Sequence, residues 1–423
     1  MEKITAVKGM EDIFAPEAKL WHHVESVIRR EMDLFGYSEI RTPILEKTEL
    51  FVRGVGNTTD IVKKEMYTFN DKGERSMTMR PEGTAGVVRA VVEHNLLQAA
   101  LPVFKCFYIG PMYRYERPQK GRLRQFHQFG VECFGTDSPY IDAEVIQILY
   151  MILKNLGLSE LNVKLNSIGC PECRPVFKEK AIEYFSGMKD KLCSECNERL
   201  TVNPLRIYDC KVPECKECSK DAPFMSDHLC KSCGDHFEKV KSVLSSINIP
   251  FTHDKSLVRG LDYYTKTAFE VTSKHLGAQD ALGGGGRYDN LVSELGGPKA
   301  PSIGFGMGLE RVMLAVKNQN IDLKISSGQD VYIIPFSNNE SDYCFKLLTG
   351  LRAEGISSQM AVGEKKMGSH FKDAEKIGAR FAVVVGENEI KSGCVAVKNL
   401  AAHEQANVDA AGLAEYIKNA LKK

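Results

Sequence analysis

The sequence lacks a strong excess of charge of either sign, and it lacks any long hydrophobic run. Its 423 residues carry 56 Lys and Arg against 55 Asp and Glu, a formal net charge of +1. Near neutrality excludes a chain that is basic along its whole length, although it leaves local basic patches open. No segment approaches the ~20 apolar residues of a membrane helix, and acidic Glu11-Asp12 stands where a signal peptide would place its apolar core. We therefore expect a cytoplasmic protein without membrane contact.

Cysteine is abundant, but a disulfide framework is not expected in a cytoplasmic chain. Nine of the 13 cysteines fall between Cys170 and Cys233, and they include four Cys-x₂-Cys pairs. This is the spacing of structural zinc sites, with free structural thiols and redox activity as the alternatives. Spacing does not determine which pairs share a metal ion. Our preferred grouping forms one site from Cys170, Cys173, Cys193 and Cys196 and another from Cys210, Cys215, Cys230 and Cys233.

Changes in the residue pattern divide the chain into regions, and its length predicts two or three domains. Apolar residues at helical spacing run from Pro16 to Gly36, and Thr84 is placed to cap a second helix. Residues 166–250 have short apolar runs and most of the cysteines, so we interpret them as an inserted module. After a polar linker at 317–329, strands alternate with helices, which predicts a small α/β domain with a mixed sheet.

Two strand-like runs, residues 104–115 and 124–134, are joined by a segment with Pro and Gly, which predicts an antiparallel hairpin. Side chains two apart share a face of a strand, so one face gathers Arg114, Glu116, Phe126, Gln128 and Glu132. A solvated sheet face is the simpler interpretation. Residues 105–124, however, hold six Lys or Arg against one Glu, a local net charge of +5. That excess favours a bound anion.

The hairpin and four other segments resemble a known family. Residues 107–130 look like motif 2 of class II aminoacyl-tRNA synthetases, Ser302–Arg311 looks like motif 3, and Arg41-Thr42-Pro43 is similar to motif 1. Leu257–Thr265 and Gly284–Asp289 resemble the signatures of histidyl-tRNA synthetases. The resemblance implies an α/β fold with two domains. An α+β catalytic domain would span 1–325, with an antiparallel sheet flanked by helices and the module at 166–250, and an α/β anticodon-binding domain with a mixed sheet would span 326–423.

The resemblance also implies a reaction and its participants. L-Histidine and ATP, with Mg²⁺ on the phosphates, would form histidyl-adenylate and pyrophosphate. The histidyl group would then pass to the 3′ end of histidine tRNA. The expected enzyme is a homodimer joined through motif 1.

Individual roles follow from the matching motifs. Arg259 and Arg114 would be catalytic, since each is a planar cation suited to phosphate or carboxylate. The resemblance places Glu82 and Thr84 on the substrate α-amino group and Glu132 and Tyr264 on the imidazole. The implied histidine-binding set is Glu82, Gly83, Thr84, Arg114, Gln128, Glu132, Arg259, Tyr263 and Tyr264. The implied ATP-binding set is Arg114, Glu116 on the adenine amino group, Phe126 stacked on adenine, and Arg311 on the γ-phosphate. Gln119 matches a family position near the 5′ guanosine of histidine tRNA.

Other interpretations stay open for single residues and for the whole chain. Glu82 would also suit a helix start, Tyr263 and Tyr264 would suit a core, and the lysines of 362–376, our expected anticodon face, would suit a solvated helix. The alternative function is a synthetase-like regulatory subunit of ATP phosphoribosyltransferase, a non-catalytic binding protein. Such paralogues tend to lose catalytic arginines and the C-terminal domain, so the arginines retained here favour the enzyme.

Overall fold

The computed structural model describes residues 2–56, 59–99, 103–119, 121–276, 280–323, 328–363 and 365–422. Contacts within the chain divide it into two units, Met1–Leu323 and Lys324–Lys423. The domain boundary predicted between 325 and 326 lies outside the described residues.

In the first unit, helices alternate with strands as the apolar periodicity predicts. The first helix ends at Gly36, which adopts the left-handed conformation (φ 73°) that glycine tolerates best. The helices are α1 Glu17–Phe35, α2 Thr48–Val55, α3 Thr84–Glu93, α4 Leu96–Ala99, α5 Pro139–Asn155, α6 Cys173–Ser186, α7 Ser194–Val202, α8 Pro213–Cys218, α9 Lys231–Ser246, α10 Leu291–Glu294 and α11 Leu309–Asn318. The strands are β1 Ser38–Glu39, β2 Leu45–Lys47, β3 Tyr67–Asn70, β4 Ser76–Met79, β5 Phe104–Tyr113, β6 Gln125–Phe134, β7 Leu161–Ser167, β8 Phe251–His253, β9 Thr265–Ser273, β10 Ala281–Arg287 and β11 Ser302–Gly308.

An eight-stranded sheet organises this unit, in the order β1-β5-β6-β11-β10-β9-β7-β8. Its pairs are antiparallel except at the two edges, where β1 with β5 and β7 with β8 run parallel. The predicted hairpin is confirmed as β5 and β6, with Gly110 opposite Gln128 and Met112 opposite Phe126. Because β11 pairs with β6, the segments that resemble motifs 2 and 3 lie side by side. A second, three-stranded sheet has the order β2-β4-β3.

The two faces of the large sheet have different roles, because alternate residues of each strand point to opposite sides. On β5, Phe107 contributes to a core that includes apolar residues of α1, α5, α9 and α11. Tyr108 and Met112 point to the other side, where the cluster includes Val88 of α3 and Tyr288. The period of two thus separates an apolar core from a face that also carries the polar residues. The polar face is where the candidate site is found.

The cysteine-rich module has a core of its own, built from α6, α7, α8 and the turns between them. Its last helix, α9, belongs elsewhere as well: Phe237, Val240 and Leu244 join the core of the main sheet. The part of 166–250 that packs separately therefore ends near Cys233, since the following turns of α9 are buried against α5.

The second unit carries a mixed five-stranded sheet in the order β13-β12-β14-β15-β16, as predicted. Strands β12, β13 and β14 run parallel, while β14, β15 and β16 are antiparallel. One face packs α12 and α15 and the other packs α13. The elements are β12 Val331–Pro335, α12 Ser341–Ala353, β13 Ser358–Met360, α13 Met367–Lys376, β14 Phe381–Val385, α14 Glu387–Ser392, β15 Cys394–Asn399, β16 Glu404–Asp409 and α15 Leu413–Leu421. In the described parts of both units, no helix has the length and apolar character to span a membrane.

Candidate active site

A cavity of about 290 Å³ opens on the polar face of the large sheet. Three arginines from separate parts of the chain meet on its wall: Arg114 follows β5, Arg259 lies in the loop before β9, and Arg311 lies in the first turn of α11. Each was predicted from a different segment, and the fold brings them to one place. The wall also includes Glu116, Phe126, Gln128, Glu270, Gly283, Gly284, Gly306 and Glu310.

Arg259 faces a carboxylate that the sequence analysis missed. Its Nη1 lies 2.8 Å from Oε2 of Glu270 on β9. Gly284 on the neighbouring strand makes room for the guanidinium, because a Cβ there would lie 2.9 Å from Nη1 of Arg259. The available signal for Glu270 was an acidic residue between the apolar Phe269 and Val271 in β9.

Arg114 lies over the ring of Phe126, the residue that was predicted to stack on adenine. Its guanidinium carbon is 5.2 Å from the centre of the Phe126 ring, and its Nε donates to the carbonyl of Pro81 at 2.8 Å. Glu116 is close by and pairs with Arg122 at 3.2 Å. Cation and ring thus form one wall for a planar, negatively charged ligand.

Arg311 is held by backbone carbonyls. Its Nη1 donates to Ala281 at 2.9 Å and its Nε to Gly121 at 3.3 Å. Burial lowers the pKa of Arg311 from its usual value. These two bonds hold the Arg311 guanidinium at the cavity wall, where a cation attracts an anion in the cavity.

A buried polar cluster surrounds Glu132, which lies four residues beyond the cavity-lining Gln128 on β6 and is not itself part of the cavity lining. The Glu132 carboxylate is fully buried and accepts hydrogen bonds from the hydroxyl of Thr84, at 2.6 Å, and from the hydroxyl of Tyr288. Burial raises the pKa of Glu132 to about 8. Tyr288 belongs to a segment that the sequence analysis singled out, but no role was predicted for its hydroxyl.

Glu82 lies at the start of α3, where its carboxylate accepts from the N–H groups of Thr84, at 2.7 Å, and Ala85, at 2.8 Å. The prediction that Thr84 caps this helix is wrong. Gly83 is the N-cap, and the Thr84 hydroxyl is used on Glu132. Burial raises the pKa of Glu82, while these N–H groups oppose the shift. The helix start therefore presents an acidic group to the same cluster.

Aromatic side chains enclose the cluster. The rings of Tyr263 and Tyr264 are both buried, with centres 4.6 Å apart, and the Arg259 guanidinium carbon lies 6.0 Å from the centre of the Tyr264 ring. Tyr108 was not predicted as a site residue, yet its hydroxyl donates to Oε1 of Gln128 at 3.3 Å. A Cβ on Gly83 would collide with the Tyr108 ring at 2.2 Å, so glycine is required there.

Gln119 does not line the arginine cavity. It lies in the loop between β5 and β6, where its backbone pairs with Arg122, and it lines a neighbouring cavity of about 530 Å³ beside Trp21 and His127. The two cavities share Gly121, Leu123 and Glu310. The predicted tRNA contact is thus adjacent to the arginine cavity.

The eight predicted metal-binding cysteines form two clusters, but the preferred grouping is wrong. One cluster holds Cys170, Cys173, Cys230 and Cys233, and the other holds Cys193, Cys196, Cys210 and Cys215, with the sulfur atoms of each within 4.8 Å of one another. The chain leaves and re-enters the main fold at the same place, so the first and last Cys-x₂-Cys pairs meet. Neighbours in sequence are therefore not partners in space.

Comparisons with known proteins agree with this geometry. A family model described as histidyl-tRNA synthetase matches residues 9–172 and 219–312, and an anticodon-binding-domain model matches 330–420. A histidine–tRNA ligase of Pelotomaculum thermopropionicum is 49% identical over 414 residues, which cover 98% of this chain and 97% of the relative. One of Moorella thermoacetica is 50% identical over 409 residues, 97% and 96% of the two chains. The crystal structure of apo S. aureus histidyl-tRNA synthetase is similar with a TM-score of 0.84 and 36% identity, and the match covers 98% of this chain and all of that one (100%).

Proposed function

Because this chain belongs to the histidyl-tRNA synthetase family and joins histidine to tRNA, we propose that histidyl-adenylate forms in the cavity among Arg114, Arg259 and Arg311. The observation that carries this assignment is the convergence of three arginines beside the buried cluster around Glu132. In this proposal residues 1–325 form the catalytic domain and 326–423 the anticodon-binding domain.

The first step needs charge cancellation more than proton transfer. The histidine carboxylate is already ionised at pH 7, so it attacks the α-phosphorus of ATP without a general base, and pyrophosphate leaves. Arg259 and Arg114 offset the negative charge that develops around the α-phosphate. Arg311 binds the γ-phosphate, Phe126 stacks on adenine, and Glu116 accepts from the adenine amino group. The tRNA 3′-terminal ribose hydroxyl then attacks the histidyl carbonyl, and AMP leaves.

Histidine is selected by the buried polar cluster. Glu82, Thr84 and Gln128 hold the α-amino group at the mouth of the cluster, while Glu132 and Tyr264 address the two imidazole nitrogens. The remaining members of the predicted set enclose the ligand: Gly83, Arg114, Arg259 and Tyr263. A wrong amino acid would leave these buried groups without partners, so discrimination by binding alone is large.

ATP brings Mg²⁺, and the residues present fit that ion. Carboxylate oxygens are its preferred protein ligands, and Glu270 and Glu310 both lie on the cavity wall. The ion would neutralise phosphate charge, and these side chains would hold or orient it.

The proposal also covers partners and metal outside the cavity. Gln119 contacts the acceptor end of histidine tRNA, the anticodon meets the second unit, and two chains pair through the segment around Arg41 as a homodimer in the cytoplasm. Each four-cysteine cluster holds a structural Zn²⁺, since four thiolates are the usual ligand set of such sites.

The experiment that tests the reaction is ATP–pyrophosphate exchange with single amino acids. Exchange is expected with histidine and with none of the other amino acids, followed by charging of histidine tRNA. No histidine-dependent exchange in folded protein would instead favour the regulatory-subunit alternative. The retained Arg114, Arg259 and Arg311 and the second unit are the reasons that we prefer the enzyme.

A further inference from the structure

The histidine-specific loop before β9 depends on the cysteine module for its hydrogen bonds. Residues 257–264 form no strand or helix. Two of the loop carbonyls accept from arginines of the module: Gly260 from Nη1 of Arg206, at 2.8 Å, and Tyr264 from Nη2 of Arg174. Asn203 adds a third link, since its Nδ2 lies 3.2 Å from Oδ1 of Asp262. The loop carries Arg259, Tyr263 and Tyr264, so the module supports the binding residues from behind.

Each arginine is tied to one cysteine cluster. Arg174 directly follows Cys173 on α6, and Arg206 lies in the turn between Cys196 and Cys210. The Arg206 side chain is only 8% exposed, so its direction depends on how the module is folded around it. The first cluster also joins the chain entering the module to the chain leaving it, because Cys173 begins α6 and Cys230 precedes α9.

The sulfur geometry suits tetrahedral zinc. The Cys170 and Cys173 sulfurs are 3.6 Å apart, and the Cys193 and Cys210 sulfurs are 3.9 Å apart. Four Zn–S bonds of about 2.3 Å place sulfurs roughly 3.8 Å from one another, whereas a disulfide would need about 2.05 Å. Backbone N–H groups also point at sulfur, with Cys230 N 3.1 Å from the Cys173 sulfur. Such donors stabilise thiolates.

A metal anchor suits the size of the module. Its cysteines span roughly 60 residues around a small core, and below about 70–80 residues metal ions or disulfides often support a fold. No disulfide joins the eight cluster cysteines. A metal ion in each cluster would cross-link segments that are distant in sequence.

We infer that zinc in the two clusters folds the module and that the module, through Arg174 and Arg206, positions the histidine-binding loop, so that zinc loading sets the affinity for histidine. The zinc sites stand on their own geometry, and the link to histidine affinity rests on the proposed function. Arg174 and Arg206 are positioning residues, because they act on the loop and not on the substrate.

Zinc content of the purified full-length protein tests the sites directly. We expect two zinc ions per chain, and we expect both to be released when a mercurial reagent binds the cysteine sulfurs. Cys193→Ser with Cys196→Ser should retain one ion, and Cys218→Ser should retain two, because Cys218 is buried in the same core but outside both clusters. Folded parent protein that carries no zinc after purification, and takes up none when zinc is added, overturns the metal assignment.

Arg206→Ala tests whether the module positions the histidine-binding loop, because it removes a hydrogen bond to the loop without changing a cysteine of either cluster. The variant should keep two zinc ions and raise KM for histidine in the exchange reaction about tenfold, with KM for ATP changed less than twofold. Arg206→Lys should recover part of the loss, since an ammonium can still donate to Gly260. Lys180→Ala, an exposed change on α6, is the matched control and should behave like the parent. An Arg206→Ala protein with full zinc and an unchanged KM for histidine refutes the positioning role.

Failure of the proposed function and failure of the zinc inference give different results. If the zinc-loaded parent shows no histidine-dependent exchange, the proposed function is wrong while the zinc count still decides the sites. If the parent is active and chelation removes zinc without changing KM for histidine, the function stands and the inference is refuted.

Discussion

Two ionisable side chains, the half-buried Arg259 and the buried Glu132, give the site its character, and their partners differ in kind. Arg259 faces the carboxylate of Glu270 at 2.8 Å, so it is a cation that is already partly balanced. Glu132 accepts from the hydroxyls of Thr84 and Tyr288, which are neutral, and burial raises its pKa to about 8. A ligand cation or phosphate entering the site therefore changes the balance of both.

Replacement of Arg259 tests its role in charge cancellation. Arg259→Ala should lower kcat/KM for histidine-dependent exchange by a factor equivalent to about 3–4 kcal/mol, the loss typical of a preorganised donor to a transition state. The kcat/KM of Arg259→Lys should lie between those of the parent and Arg259→Ala, because lysine keeps the charge but not the planar, multi-donor guanidinium. Near-normal exchange in the alanine variant would contradict the assignment.

The raised pKa of Glu132 predicts a pH-dependent effect on stability. The folded state holds one more proton than the unfolded state between pH 4.5, the ordinary Glu value, and about 8, so this contribution is complete below 4.5 and is lost as pH rises toward 8. Glu132→Gln cannot ionise. Its stability relative to the parent should improve by up to about 3 kcal/mol between pH 5 and pH 8, measured by denaturant unfolding. A difference that is constant with pH would show that Glu132 titrates normally.

At the scale of elements, the glycines of strand β11 make room for the buried polar cluster around Glu132. Glycine occupies alternate positions of the strand at Gly304, Gly306 and Gly308. A Cβ on Gly304 would lie 1.9 Å from Oε2 of Glu132, and one on Gly306 would lie 2.3 Å from Nε2 of Gln128. The polar side chains of β6 therefore extend into the space that side chains on these glycines would otherwise fill.

Alanine substitutions at a crowded and an uncrowded glycine of β11 separate the cost of steric overlap from the general effect of replacing glycine in a strand. Gly304→Ala should destabilise the protein by about 1–3 kcal/mol, because its Cβ would also approach the Val131 carbonyl at 2.3 Å and backbone cannot easily yield. Gly308→Ala, whose Cβ would meet its nearest neighbour at 3.9 Å, is the control on the same strand. Denaturant unfolding measures both. Equal stability of the two variants would rule out the close approach.

For the whole molecule, the two units carry different parts of the proposed function. The cavity with Arg114, Arg259 and Arg311 lies in the first unit, while the anticodon-binding-domain model matches 330–420 in the second. In the second unit the predicted RNA face at 362–376 includes α13, which packs on the opposite side of the sheet from α12 and α15. Lys365 is paired with Asp373 at 2.7 Å, whereas Lys366 and Lys372 are exposed.

Charge reversal on this face should affect only the step that uses tRNA. Lys366→Glu with Lys372→Glu is expected to raise KM for histidine tRNA about tenfold, equivalent to ~1.4 kcal/mol, and to leave exchange unchanged. The salt dependence of charging should also weaken, since fewer counterions are released. Lys346→Glu, at an exposed position of α12, is the control. An equal effect of the control would place the RNA elsewhere.

Local patterns in the sequence were sufficient for much of this architecture. The hairpin followed from two strand-like runs joined by a segment with Pro and Gly. Its register places Gly110 opposite Gln128 and Met112 opposite Phe126, and Phe126 and Gln128 line the same cavity as Arg114. The Cys-x₂-Cys spacing predicted that each of three pairs lies within one cluster (170/173, 193/196 and 230/233), whereas Cys215 clusters with Cys210 and not with Cys218. Helix α1 and its end at Gly36 followed from apolar periodicity and a glycine stop.

The sequence by itself therefore determined the elements, the mixed second sheet and the residue types available for chemistry, because these depend on neighbours along the chain. Only the tertiary structure decided which cysteine pairs meet, that Glu270 faces Arg259, that the Thr84 hydroxyl serves Glu132 instead of capping α3, and that Glu132 holds a proton near neutral pH. Each of these depends on burial or on distances between segments far apart in sequence. Spacing along the chain carries no information about either quantity.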